Sequence, residues 1–482
     1  MDISLLINGQ DQPASGGKMF ERRNPLSQEV ASRAAAATPS DADAAVAAAS
    51  AALAAWSALG PNARRALLLK AADVLDAKRD VFIKIMMAEI GTTEVWSAFN
   101  VKLATGMLRE AASLTTQIAG EVIPSDKPGC LAMSVRQPAG VCLGIAPWNA
   151  PIILGVRAVA TALACGNTVV LKASEICPGT HRLIGDVFKD AGFPPGVVNV
   201  VTNAPADAPA LVERLIANPA VRRINFTGST RVGRVIAELA GRHLKPVLLE
   251  LGGKAPLVVL DDADLDAAVA AVAFGAFINQ GQVCMSTERV IVDEAVATSF
   301  VEKLAKKAGA LPAGDPRFGP VVVGSMIDET PAKQVVALIN DAIGKGAVKL
   351  AGGERAGTVV PATVLDRVVP GMRIYTEESF GPVVSVIRAR GVDDAVRLAN
   401  DTEYGLSAAV FGRDVARALT VAQRIESGIC HINGPTVHDE AQMPFGGMKG
   451  SGYGRFGGQA GIAEFTDLRW ITIETQSQHY PF

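Results

Sequence analysis

An excess of charge of either sign is the first thing this sequence lacks. Lys plus Arg number 46 and Asp plus Glu 48, a formal net charge of −2. No basic surplus exists to neutralise a phosphate backbone, so nucleic-acid binding is excluded as a main role. Aromatic residues make up only 5%. With Ala and Gly dominating the small residues, that scarcity suits close helix–sheet packing more than an all-β sandwich. The five histidines, at 181, 243, 431, 438 and 479, show no metal-ligand spacing, and no metal is expected. Six cysteines in 482 residues are too few for a disulfide framework, and no pair is spaced C-x-x-C. The start, Met1-Asp2-Ile3-Ser4, lacks the basic and apolar regions of a secretion signal. One stretch of 19 residues without charge, Pro138 to Val156, looks membranous. It is interrupted by Pro147, Asn149 and Pro151 and closed by Arg157, so a strand, a turn and a helix start explain it better. A cytoplasmic protein without membrane contact is expected.

What the chain does have is apolar mass, 49% of residues, enough for a large core. At about 150 residues per domain, its length predicts two to four domains. Residues 41–58 open with acidic residues and continue in helix formers. Further helices are expected near 62–90 and 99–120. From 141 the texture changes: VCLGIA (141–146), NTVVLK (167–172), GVVNVV (196–201) and RRINF (222–226) alternate with helical stretches near 151–163, 178–191, 207–217 and 230–242. Buried strands alternating with helices predict a parallel, doubly wound sheet. A second such series runs from PLVVL (256–260) through a helix at 262–280, RVIVD (289–293), PVVSVI (382–387) and AAVFG (408–412) to GICHIN (428–433). The fold expected is α/β, with two doubly wound parallel-sheet domains and a small β arm. Residues 1–119 with 139–250 form the first domain and 251–464 the second. The arm pairs 120–138 with 465–482, two strand-like pieces that otherwise lack partners.

Several short segments carry chemistry. Gly228-Ser229-Thr230 follows a strand-like run and opens a helix, which suits a pyrophosphate or simply an N-cap. Lys172-Ala173-Ser174-Glu175 follows another such run. Lys172 and Glu175 there either hold ribose hydroxyls, the carboxylate repelling a 2′-phosphate, or form a solvated pair. Cys284 lies in a Gly-led, polar-flanked segment after a long helix. Glu250 ends the apolar run 246–249 just before Gly252-Gly253-Lys254. A carboxylate ending a buried strand suffers desolvation, which raises its pKa and suits it to act as a base. Asn149 sits between Pro147 and Pro151 and can donate to an oxyanion.

Taken together and in order, Asn149, Lys172/Glu175, the Gly228 turn, Glu250 and Cys284 resemble the aldehyde dehydrogenase superfamily, and the resemblance runs from about residue 5 to the end. Glu377-Glu378-Ser379-Phe380-Gly381-Pro382, Asn400 with Tyr404-Gly405-Leu406, and the segment Pro444–Gly452 belong to it. The resemblance implies that Cys284 is the nucleophile, Glu250 the base and Asn149 the oxyanion donor. It also implies an NAD site. Lys172, Ser174 and Glu175 would lie at the adenosine ribose, and Gly228, Ser229 and Val232 at the pyrophosphate. Ile145, Trp148, Leu251, Gly252, Glu378 and Phe380 would lie along the rest of the dinucleotide.

Phe99-Asn100-Val101, Arg109–Ala112, Met285-Ser286-Thr287-Glu288-Arg289, the run 433–443 and Tyr480-Pro481-Phe482 are most similar to the bacterial branch acting on aromatic aldehydes of the vanillin, salicylaldehyde or benzaldehyde type. On that resemblance Trp96, Ala150, Arg157, Val283, Met285 and His438 fall near the aldehyde. Ala150 leaves room for a planar ring. Arg157 either bonds a ring phenol or serves as a structural ion-pair partner. A homodimer, or a pair of such dimers, is implied. The rival readings are an enzyme for aliphatic aldehydes or semialdehydes, a coenzyme A-acylating variant, which the base Glu250 argues against, and a non-catalytic protein on the same scaffold.

Overall fold

The apolar runs between residues 141 and 250 become the core of one sheet. In the computed structural model, which describes residues 1–482, five strands lie parallel: Val247–Glu250, Val221–Thr227, Val141–Ile145, Thr168–Lys172 and Val198–Val201. Chain order reverses between Val141–Ile145 and Val221–Thr227. Beyond the carboxyl ends of those two strands lies the crevice where an open α/β sheet takes its ligand. Antiparallel strands close the edges, Leu5–Ile7 with Gln10–Gln12 on one side and Gly452–Tyr453 on the other. The helix Pro151–Ala164 is buried on all sides, every residue but Thr161 being inaccessible. That is why its sequence is apolar on every face apart from Arg157 and Thr161. No helix is long and apolar enough to cross a membrane.

The second sheet runs in the order Val348–Ala351, Thr363–Asp366, Val383–Ala389, Thr287–Asp293, Ala255–Val259, Ser407–Phe411, Ile429–Ile432, all parallel except the first. A four-residue link, Leu251 to Lys254, joins the two sheets. It sets the carboxyl end of the first against the amino end of the second. The strand-like pieces without partners do pair: Thr466–Glu474 runs antiparallel to Cys130–Pro138 from Thr466↔Pro138 to Glu474↔Cys130, with Glu121–Ile123 alongside.

Other expectations are corrected. The helix at 62–90 is two, Pro61–Ala77 and Arg79–Ile90, broken at Lys78 where no Gly or Pro marks the break. The next begins earlier than expected, at Glu94, because Thr93 caps it. The second unit does not run to 464. Gly452–Tyr453 joins the first sheet, and Phe445, Phe456, Ile462 and Phe465 pack into the first unit's core, where they cover the buried helix. The helix expected over 262–280 ends at Phe277, because Asn279, Gln280 and Gly281 are all left-handed, with φ of 47°, 57° and 69°.

Candidate active site

Glu250 is the last residue of its strand and is wholly buried. The two glycines that follow are demanded by close approach. A Cβ on Gly253 would stand 2.2 Å from the Cys284 carbonyl oxygen, and one on Gly252 2.6 Å from Glu378 Oε2. Ser451 pins this link, its Oγ donating to the Gly252 carbonyl at 2.6 Å. The Glu250 segment, the Cys284 loop and the Glu378 turn therefore meet in the seam between the sheets.

The loop carrying Cys284 is built on the left-handed turn at 279–281. Two consecutive non-glycine residues in that region cost about 1–3 kcal/mol each and persist only when neighbours over-determine them. Here they do. Asn279 Nδ2 donates to the Asn149 carbonyl at 3.0 Å and Thr92 Oγ1 donates to Asn279 Oδ1 at 2.9 Å. Gln280 Nε2 donates to Ser325 O, and Gln282 Oε1 accepts from Ile327 N. Across the loop, Asn149 Nδ2 donates to the Gln282 carbonyl at 3.0 Å, and Trp96 Nε1 donates to the Asn149 carbonyl at 3.0 Å. Asn149 is thus held at both its side chain and its carbonyl. The sequence reading missed Asn279, Gln282 and Thr92; the run Asn-Gln-Gly, turn-forming at both ends, was the available signal.

Neither Glu250 oxygen has a well-aligned hydrogen-bond partner. Burial raises its pKa to about 7, and the facing Cys284 thiol offsets this only in part. Burial first, and then the Glu250 charge, push the Cys284 thiol well above its ordinary value. The Arg157 charge offsets this only weakly, so the resting sulfur is held as the thiol with the Glu250 carboxylate facing it. Glu378 accepts from Gly253 N at 2.8 Å, and burial raises its pKa to about 8.

Cys284, Glu250, Asn149, Trp148, Gly228, Ser229, Gly252, Glu378 and Phe380 line one open cleft. Trp148 and Phe380 meet edge to face with centroids 5.8 Å apart. Ser229 caps the helix Thr230–Arg242 by accepting from Val232 N. Ile145 and Leu251 are buried and Val232 is at the surface. At the end of the next strand Lys172 is ion-paired with Glu175, whose Oε1 also accepts from Asn203 Nδ2. Ser174 N donates to His181 Nδ1, and the same ring reaches the Pro151 carbonyl through Nε2.

Of the residues expected near the aldehyde, Trp96, Ala150, Val283 and Met285 are buried around the cysteine loop. Arg157 is ion-paired with Asp439, both nearly inaccessible, and lies 4.2 Å from the centroid of the Phe445 ring. Its ion-pair role is therefore real, and Asp439 is a partner the sequence did not disclose. Arg157 also lines a second, very tight pocket with Met107, Phe445 and Phe456. His438 is a correction. It is exposed, bonded to Glu440 and packed on the His431 ring, because its neighbour Asp439 takes the inward position opposite Arg157.

A profile of the aldehyde dehydrogenase family matches residues 12–471. A vanillin dehydrogenase of Pseudomonas fluorescens is 63% identical over 481 residues, covering 100% of both chains. A salicylaldehyde dehydrogenase of Pseudomonas putida is 51% identical over 483 residues, again covering 100% of both. The crystal structure of a salicylaldehyde dehydrogenase from Pseudomonas putida G7 complexed with salicylaldehyde superposes with a TM-score of 0.98 at 51% identity, covering 100% of each chain. The chain belongs to the aldehyde dehydrogenase family, whose members use NAD or NADP.

Proposed function

We propose that this enzyme oxidises aromatic aldehydes to carboxylic acids with NAD, through a thiohemiacetal and a thioester on Cys284. The observation that carries the chemistry is the facing of the Cys284 thiol and the unpartnered, buried Glu250 carboxylate in one cleft. The identity to vanillin and salicylaldehyde dehydrogenases supports the substrate class.

The cleft suits a dinucleotide. At the Lys172–Glu175 end the buried Asn203 Oδ1 has no partner, as a site awaiting a hydroxyl donor would. At the Gly228 turn a Cβ would strike the Phe226 ring at 2.4 Å, so only glycine lets the backbone lie this close. Lys172 and Glu175 would hold the adenosine ribose, with Ser174 beside them, and the Glu175 carboxylate disfavours a 2′-phosphate. The helix start at Ser229 would face the pyrophosphate, and Glu378 and Phe380 the nicotinamide ribose and ring. When bound, NAD supplies the hydride acceptor.

Glu250 accepts the Cys284 proton, and the thiolate adds to the aldehyde carbon. The alkoxide so formed takes the second N–H of the Asn149 amide, whose first is spent on Gln282. One such donor lowers a barrier by about 2.7–4 kcal/mol. Loss of hydride leaves a thioester; once Glu250 has given the thiol's proton to solvent, it takes a proton from the attacking water and returns it to the Cys284 sulfur as the acid leaves. A ring-conjugated aldehyde fits beside Ala150, where no bulky side chain stands, with Arg157, Phe445 and Phe456 further along. A panel of aromatic and aliphatic aldehydes scored by kcat/KM with NAD tests the reading. Preference for the aliphatic members would overturn the substrate class.

The arm is read as a docking surface for a second copy. Trp470, Leu468 and Ile473 on one strand and Val122 on another are exposed apolar residues of a single small sheet, which supports a homodimer or a pair of dimers. Six unbridged cysteines fit the reducing cytoplasm.

A further inference from the structure

Lys254 stands four residues after the base Glu250, and Glu288 four residues after the nucleophile Cys284. Their side chains form an ion pair that is almost completely buried, 0% exposed for Lys254 and 4% for Glu288. The Glu288 carboxylate has further partners. It accepts from Ser379 N at 2.9 Å, Ser379 Oγ at 2.9 Å and Phe380 N at 3.0 Å. Four donors thus converge on one side chain, which only an ionised carboxylate can accept in full; an amide would turn one acceptor into a donor. Phe380 is held at a φ of +45°, a conformation a phenylalanine keeps only when its neighbours fix it. The residue before Ser379 is Glu378, and its Oε1 takes the N–H of Gly253, the neighbour of Lys254.

We propose that the Lys254–Glu288 pair is the positioning element for the nicotinamide half of the cofactor, cross-linking the link that follows Glu250, the strand that follows the Cys284 loop, and the Glu378–Phe380 turn. It touches neither cofactor nor substrate. It acts by fixing Ser379 and the Phe380 backbone, and so the side chains on either side of Ser379. The proposal rests on the assignment of Glu378 and Phe380 to the cofactor made above.

The test is equilibrium NAD binding by calorimetry on the full-length enzyme, with steady-state KM values and the rate of Cys284 alkylation by iodoacetamide beside it. Glu288→Gln is expected to weaken NAD binding tenfold or more and raise the NAD KM in step. Alkylation and the benzaldehyde KM should stay within twofold. NAD affinity within twofold of wild type, or an equal change in alkylation, overturns the proposal. Should Glu288→Gln fail to fold, Ser379→Ala removes a single donor; about threefold weaker NAD binding is expected, and no change overturns. Glu378→Gln separates the two readings. If it weakens NAD binding and Glu288→Gln does not, the positioning role fails. If it too leaves binding unchanged, the cofactor assignment itself fails.

Discussion

The Asn149 side-chain amide donates to the main-chain carbonyl of Gln282, 133 residues away, at 3.0 Å. The proposed oxyanion donor is therefore tied to the loop that carries the proposed nucleophile, and the two cannot drift independently. Asn279 repeats the tie from the other side by donating to the Asn149 carbonyl. Preorganisation of this kind is what makes an oxyanion donor effective, since nothing needs to reorganise as charge develops.

Replacing Cys284 by Ala is expected to abolish aldehyde oxidation while NAD affinity stays within threefold of wild type. Activity assays and calorimetry check it. Turnover within tenfold of wild type would remove Cys284 from the mechanism.

Glu250→Gln gives a stability test with a definite sign. The folded pKa of Glu250, about 7, lies above its ordinary 4.5. Wild type therefore loses stability as pH rises from 4.5 through 7, because the fold resists ionising a group that the unfolded chain ionises freely. The variant carries no such penalty. Its melting temperature should exceed that of wild type at pH 8, by the equivalent of about 3 kcal/mol at most, and the gap should close toward pH 4.5. A constant gap across that range would contradict the raised pKa.

The wild type is expected to show kcat/KM rising with an apparent pKa near 7, and the same variant should lose that rise. Both the first release of NADH and the steady-state rate are expected to slow, because thiolate formation and water attack on the thioester each lack their base. Unchanged steady-state turnover would assign the base elsewhere.

Glu175→Gln should admit NADP. Wild type is expected to show the lower KM for NAD, and the variant an NADP KM at least tenfold below that of wild type. A wild-type preference for NADP would contradict the role given to Glu175.

Arg157→Ala strands the Asp439 carboxylate in a site where both side chains are over 90% buried. Removing one partner of such a pair costs about 3–5 kcal/mol, whereas replacing both by apolar residues is often neutral. Denaturant unfolding should show the single variant strongly destabilised and Arg157→Met with Asp439→Leu largely restored. If hydroxylated and plain benzaldehydes lose kcat/KM equally in the double variant, the ion pair serves packing alone.

Much of this was legible in the sequence for reasons that are local. The strands of both sheets are short apolar runs between turn residues, and Glu250, Cys284 and Asn149 stand out because each interrupts its surroundings. What was not legible is what depends on partners far along the chain. Nothing near Arg157 names Asp439, 282 residues later. The break at Lys78 has no Gly or Pro, and nothing around His438 tells that its neighbour Asp439 turns to Arg157 while His438 itself is exposed. Lys254 and Glu288 were noticed only as members of their segments. Their pairing needs the fold that sets one sheet's end against the other's start.

The first sheet takes an edge strand from Gly452–Tyr453, and Cys130–Pro138 waits for Thr466–Glu474 as its neighbour. As the polypeptide leaves the ribosome, its leading half therefore lacks both a sheet edge and a ladder until nearly the last residue has been made. The amino-terminal unit is thus completed only by segments that follow the second sheet, and a chain cut before Gly452 should fold poorly however intact its cysteine loop.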